Sequence, residues 1–209
     1  MIPTRLVLRG LALAAVAGML ASCISLFPKS KPAQLYRFGT TAPAVQETST
    51  GAPAFGVFMA VTGFDRAAVS DRILTVTGTQ AAYIKDSRWV ASASALFETA
   101  VQHAFDADQG PARLIGRGEA VKADYVLKLD VRTFEARYEH GQQAAPTVVV
   151  EVHAALDRLN DRAAAGDRIF RAAAPASDNR VGAIAAAYDQ AVAKVLGELV
   201  AWVDAKGEA

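Results

Sequence analysis

The alternation of apolar and polar positions predicts β-strands through the middle of the chain. Apolar residues recur at every second position in Phe55–Val61, and Arg72–Thr77 and Gln80–Ile84 form a hairpin pattern. The same period continues through two longer segments, Asp124–Tyr138 and Thr147–Leu159. Each long segment places its charged residues on one side. We therefore expect a sheet that is covered on one face only.

Shorter strands are also predicted at three places. Leu35–Phe38 puts two aromatic residues at period two, which is typical of a short edge strand. Arg168–Ala172 is expected to be a strand that follows a turn at Ala165–Asp167. Gly110–Gly118 is rich in glycine but lacks the loop-to-helix context of a phosphate site, so it is interpreted as a strand with turns.

Two segments have the 3.6-residue period of amphipathic helices. The first is Ser92–Ala107, and the second, longer one is Arg180–Asp204, with Asp178-Asn179 as the expected cap. Trp89 precedes the first helix and Trp202 lies near the end of the second. Large aromatic residues at helix ends commonly close the edge of a core, so we expect both to be buried rather than to stack on a ligand.

The order of the elements indicates the fold class. Strands, a helix, strands and a second helix follow one another, and most links have the length of a hairpin. This order predicts an α+β fold, with a mostly antiparallel sheet and two helices packed on one face. No internal repeat occurs, and no change of composition after Pro53 divides the domain.

The N-terminal residues have the pattern of a secretory signal peptide. Arg5 and Arg9 precede the apolar run Gly10–Leu20, and small residues follow it. The alternative is a transmembrane helix, but the run is shorter than the roughly 20 residues that a bilayer requires.

The end of this segment, Leu20-Ala21-Ser22-Cys23, matches a bacterial lipobox. The Cys23 thiol is the nucleophile that accepts diacylglycerol, and two or three acyl chains, including palmitate, would hold the protein on a membrane. The alternative is a buried cysteine that happens to follow a signal peptide. We therefore predict a lipoprotein signal peptide at 1–22, a lipidated flexible tether with a short edge strand at 23–53, and a folded domain at 54–209.

Charge and composition exclude several classes of function. The formal net charge of the chain is +1, and removal of Arg5 and Arg9 makes it −1, so nothing favours nucleic-acid binding. Cys23 is the only cysteine, which excludes intrachain disulfides and cysteine-rich metal sites. His103, His140 and His153 share no metal-ligand spacing, and we expect them to be solvated. No catalytic, cofactor or metal motif appears, so the chain is not expected to be an enzyme.

A set of short motifs gives the mature chain a resemblance to a known family. It resembles the ABC-type transport auxiliary lipoprotein family, which accompanies transporters that carry MCE (mammalian cell entry) domain proteins. The features that match, in order, are the lipobox at Cys23, Leu35–Phe38, Ser70–Ile73, Tyr83, Ser87–Trp89, Ala123–Leu127, Phe134-Glu135 and a last helix that ends at Trp202.

The resemblance implies a non-catalytic accessory subunit of a system that moves phospholipids or other lipids across the bacterial envelope. Its partners would be an MCE-domain protein and the ABC permease and ATPase, with a homo-oligomer as a further expectation. An Asp after the lipidated cysteine would favour the inner membrane; Ile24 stands there, so we expect the inner leaflet of the outer membrane, facing the periplasm. The alternatives are a structural lipoprotein of outer-membrane assembly and, less favoured, an envelope hydrolase.

The lipidation hypothesis predicts the behaviour of Cys23→Ala. Without the thiol no acyl chain is attached, so the domain should fold but remain soluble in the periplasm or be held by its uncleaved signal. Membrane fractionation with the wild-type chain as control measures this, and arrival of the variant at the outer membrane would contradict the hypothesis.

Overall fold

The described helices and strands all lie after Ala33. A computed structural model describes residues 32–41, 55–116, 118–119 and 122–207. The elements are β1 (Gln34–Tyr36), β2 (Phe55–Phe64), β3 (Arg72–Thr77), β4 (Gln80–Trp89), α1 (Ala93–Ala107), β5 (Ala112–Leu114), β6 (Tyr125–Arg137), β7 (Thr147–Arg158), β8 (Ala164–Pro175) and α2 (Val181–Gly207). The predicted strands and both helices are present, although several bounds differ.

The eight strands form one sheet, and the prediction that it is mostly antiparallel is wrong. Its order is β1-β4-β3-β6-β2-β5, and β7 and β8 extend it from the other side of β6. Three pairs are antiparallel, namely β3 with β4, β6 with β7 and β7 with β8. The other four pairs, β1–β4, β2–β5, β2–β6 and β3–β6, are parallel. The fold is α+β with a mixed sheet.

The parallel pairs arise because β6 is long enough to accept two neighbours on one edge. Its first half pairs with β2 from Val57 to Phe64, and its last residues pair with Thr75 and Val76 of β3. The chain between β2 and β6 contains β3, β4, α1 and β5, so it crosses over and returns in the same direction. Local alternation does not reveal this pairing, since it is decided by a connection of about 60 residues.

The two helices bury their apolar faces in a single core together with the inner face of the sheet. Helix α1 begins at Ser92, whose Oγ accepts a hydrogen bond from the Ala95 amide at 3.2 Å, as an N-cap does. Helix α2 has one buried face that runs from Ile184 to Val203, with Tyr188 and Val195 fully inaccessible. Neither helix of the described chain combines the length and apolarity that crossing a bilayer needs.

Aromatic rings form the centre of this core, as predicted for Trp89. The Tyr188 ring of α2 lies 5.1 Å from Trp89 and 4.9 Å from Phe134 of β6, measured between centroids. Phe38, just after β1, packs edge-on against Trp89 at 5.0 Å. The Tyr188 hydroxyl donates to the carbonyl of Leu74 in β3 at 3.1 Å. Helix α2 is thereby joined to several strands at one point.

The predicted turn at Ala165–Asp167 is wrong, because these residues lie inside β8. The link between β7 and β8 occurs earlier, where Arg162 has a φ of 58°. Gly166 is required for packing rather than for a turn: a Cβ there would lie 2.7 Å from the Trp202 ring. Trp202 is 8% exposed, which confirms the prediction that it is buried.

Asp178 and Asn179, which are predicted to cap α2, make other hydrogen bonds in the structure. The Asp178 carboxylate accepts from the Arg180 guanidinium, and the Asn179 amide accepts from the Tyr138 hydroxyl and donates to the Gln142 carbonyl. None of these bonds is accepted from a backbone amide of the first turn, as the bond of an N-cap side chain would be. Asn179 ties the start of α2 to the hairpin between β6 and β7.

Tyr188→Phe tests the contribution of the buried hydroxyl. The variant loses the bond to Leu74, which should lower the free energy of unfolding by about 1–2 kcal/mol. Tyr138→Phe is the matched control, since it loses an exposed bond to Asn179 and should cost less than about 0.5 kcal/mol. Urea unfolding of both variants measures the difference, and equal costs would contradict the role assigned to Tyr188.

Candidate functional site

A groove between the two helices is the candidate site, and we call it the interhelical groove. It has a volume of about 330 Å³ and is closed on one side by the segment that follows β1. Its floor is apolar and formed by fully or nearly buried side chains, while polar groups occupy the rim. The floor contains Ala100, Ala104, Val192 and Leu196, and the rim contains Thr40, Thr41, His103, Asp106 and the half-exposed Ala193.

Asp189 of α2 holds the segment after β1 in place. Its carboxylate accepts from the Thr40 amide at 2.8 Å and from the Thr41 hydroxyl at 2.5 Å, with longer bonds from the other amide and hydroxyl. Burial by itself would raise the pKa of Asp189, but these bonds stabilise the carboxylate and lower its pKa below the usual value. The wall of the groove is therefore fixed by a charged group.

The close approach of this segment to α1 depends on Gly39. Its φ is 74°, in the left-handed region, and a Cβ there would lie 2.5 Å from the Ala100 Cβ. A small residue is thus required on both sides of the contact, because any larger side chain would push the segment away from the helix.

The three histidines lie apart from one another, as expected. His103 is on α1 at the groove, His140 is in the link between β6 and β7, and both are exposed. His153 differs from the expected solvated state, because its Nε2 lies 2.9 Å from both oxygens of Asp167 on the outer face of the sheet. In the part of the chain that the structure describes, no three His, Cys, Asp or Glu side chains converge as metal ligands would.

The outer face of the sheet carries the charged residues that the alternation predicts. Lys128 pairs with Asp157 at 2.8 Å, and Asp130 pairs with Arg132 at 3.2 Å. Such exposed pairs contribute little to stability. The predicted lipidation residue, Cys23, lies outside the described residues.

The comparisons with known proteins identify the family. A family model described as an ABC-type transport auxiliary lipoprotein component matches residues 36–200. The chain belongs to this family. The match confirms the resemblance inferred from the short motifs, and it spans every described element from the end of β1 to the last turns of α2.

Solved structures support the same assignment. The crystal structure of a DUF330-family protein from Xanthomonas campestris is 30% identical, covers 84% of this chain and 97% of its own, and has a TM-score of 0.69. An uncharacterised protein at 10% identity and a TM-score of 0.64, covering 83% of this chain and 99% of its own, shows the fold alone. A comparison with curated protein sequences finds no significant match. As a member of this family, the chain is a lipoprotein component of the cell envelope that serves a transporter.

The interhelical groove could not be predicted from the sequence. Thr40 and Asp189 are separated by 149 residues, and neither belongs to a recognisable motif. The only local signal is Gly39-Thr40-Thr41, a polar break directly after the apolar Phe38. That signal indicates a loop but not its partner.

Asp189→Asn tests the fixed wall of the groove. An Asn side chain cannot accept all four bonds, so the free energy of unfolding at pH 7 should fall by less than about 2 kcal/mol. Because the pKa of Asp189 is lowered in the folded state, its contribution is present above pH about 4 and is lost as the pH falls through the folded pKa.

Denaturant unfolding at several pH values measures this effect. The loss of stability between pH 5 and 3 should be smaller in Asp189→Asn than in the wild type. Asp106→Asn, at the rim of the same groove, is the control and should keep the wild-type profile. A wild-type profile in Asp189→Asn would contradict the assigned role.

Proposed function

We propose that this lipoprotein is a non-catalytic accessory subunit of an MCE-type ABC system that moves phospholipids or other lipids across the envelope. The family match over residues 36–200 carries the proposal. The lipobox at Cys23 and the separated histidines are consistent with a docking role rather than a catalytic one. Its partners are an MCE-domain protein and the permease and ATPase of the transporter.

The anchor sets how far the domain reaches from the membrane. In this proposal the signal peptide 1–22 is removed, Cys23 is acylated, and the protein sits in the inner leaflet of the outer membrane. The folded unit begins at Ala33, ten residues later. A chain of that length spans at most about 35 Å. The domain therefore stays near the membrane surface, and a partner that crosses the periplasm must come to it.

The interhelical groove is the part of the domain best suited to receive such a partner. Its volume of about 330 Å³ is at the low end of ligand pockets, which measure about 300–1,000 Å³. This space accommodates one or two bulky apolar side chains rather than a phospholipid with two acyl chains. The polar rim at Thr40 and His103 would surround such an anchor, as in many protein interfaces.

Ala193→Phe tests this docking site. The residue is half-exposed at the groove, so a phenyl ring there fills the groove without entering the core. Ala186→Phe is the matched control, since Ala186 is exposed on the same helix but does not line the groove. We expect Ala193→Phe to reduce recovery of the MCE protein on the order of tenfold and Ala186→Phe to leave it unchanged.

The measurement is a pull-down of the tagged lipoprotein from mild detergent extracts, with the recovered proteins identified by mass spectrometry. Recovery of the MCE and ABC components with the wild type supports the proposed function. Recovery of outer-membrane assembly factors in their place would contradict it. Equal loss in both variants would remove the groove from the proposal but leave the transport role intact.

A further inference from the structure

Strand β8 has one long edge with no partner strand in the described part of the chain. Among the described residues it pairs with β7 alone, so its other edge presents unpaired peptide groups. It is 12 residues long, whereas strands typically have about 5–6. Natural edges are usually protected by charged side chains, prolines or bulges. Strand β8 has no lysine and its only proline is the last residue, but it carries exposed charges of both signs at Asp167, Arg168 and Arg171. An edge of this length is suited to pairing with another strand.

The side chains on the outer face of β8 have a symmetric arrangement. Ile169 lies at the centre and is 52% exposed. Asp167 lies two positions before it and contacts His153 of β7. Arg171 lies two positions after it, 3.7 Å from Glu151 of β7. An acid and a base are therefore placed at equal distances on either side of an exposed isoleucine.

We propose that β8 pairs antiparallel with β8 of a second copy of this chain, with Ile169 on the two-fold axis. In that register Asp167 of each copy lies opposite Arg171 of the other, and the two Ile169 side chains face each other. Opposite charges and apolar pairs at directly facing positions are the favourable cross-strand combinations. Since the pattern is complementary to itself, it fits the symmetric interface of a two-fold dimer.

The charges of β7 extend this complementarity across four strands. Glu151 lies beside Arg171 in one copy, Arg171 would lie opposite Asp167 of the other copy, and that Asp167 contacts His153. The two-fold axis generates a second, equivalent row of these contacts. Arg171 and Asp167 thereby keep their present partners, and each gains a second partner of opposite sign.

Neighbouring registers lack this match, which is why we assign the axis to Ile169. With the axis at Arg168, the two Arg168 side chains would face each other. With the axis at Phe170, Ile169 would face Arg171, and Asp167 would face an alanine.

Cysteine cross-linking of the mature lipoprotein in detergent tests the contact. Ile169→Cys places two thiols on the axis, within reach of a disulfide or a short bis-maleimide. Phe58→Cys is the matched control, since Phe58 is also a partly exposed apolar residue but lies on β2. The protein without an added cysteine is the control for cross-links through Cys23. We expect a covalent dimer with Ile169→Cys alone, and equal cross-linking in Phe58→Cys would overturn the proposal.

Charge reversal tests the register. Arg171→Asp would place two acids opposite each other at both ends of the interface, and we expect the dimer dissociation constant to rise on the order of tenfold. The double variant Asp167→Arg with Arg171→Asp restores opposite charges and should restore the dimer. Sedimentation velocity over a range of concentrations measures the constants, and circular dichroism checks folding.

The outcomes separate this dimer from other arrangements. The proposal is overturned if the Arg171→Asp variant folds and its dimer dissociation constant is unchanged. It is also overturned if the double variant folds but stays monomeric. If Arg171→Asp does not fold, the double variant and the cross-linking decide. Larger oligomers that are insensitive to both variants would show that another surface joins the copies. The proposal does not depend on the transport role, so the failure of either leaves the other standing.

Discussion

The packing of aromatic rings around Tyr188 is the contact on which the remaining architecture depends. Its ring joins α2 to Trp89 of β4 and Phe134 of β6, and its hydroxyl reaches the Leu74 carbonyl of β3. Phe38 brings the segment after β1 into the same cluster. Because a core is packed at crystal-like density, these contacts determine where the segment after β1 must run. The wall of the interhelical groove is a consequence of that path.

The two faces of the sheet differ because only the inner face packs against the helices. The inner face is used for the core, so the surfaces available to a partner in the described part of the chain are the groove, the charged outer face and the unpaired edge of β8. The groove is small and apolar, and it suits an anchoring side chain of a partner. The edge is long and self-complementary, and it suits a second copy. Both proposals use surfaces of the folded domain, and neither requires a reaction centre.

Features that depend on residues close in sequence are predicted accurately, whereas features that depend on distant residues are not. The bounds of α1, β6 and β7 agree to within one or two residues, because periodicity and capping at Ser92 are local signals. The sequence predicts β8 too short, because Gly166 is typical of a turn although in this fold it makes room for Trp202. Parallel pairing of β6 with β2 and β3 was not foreseen, because nothing in β6 itself encodes which strand arrives beside it.

The sequence by itself determined the elements that depend on neighbours in the chain: the signal-like N-terminus with Cys23, the alternation of each strand, and the apolar faces of both helices. It was also sufficient to identify the family, since short motifs keep their order along the chain. Tertiary structure alone decided the mixed sheet, the bond between Asp189 and Thr40 and the pairing of His153 with Asp167. Each of these joins residues from separate elements, and such contacts exist only after the chain has closed loops that no local pattern records.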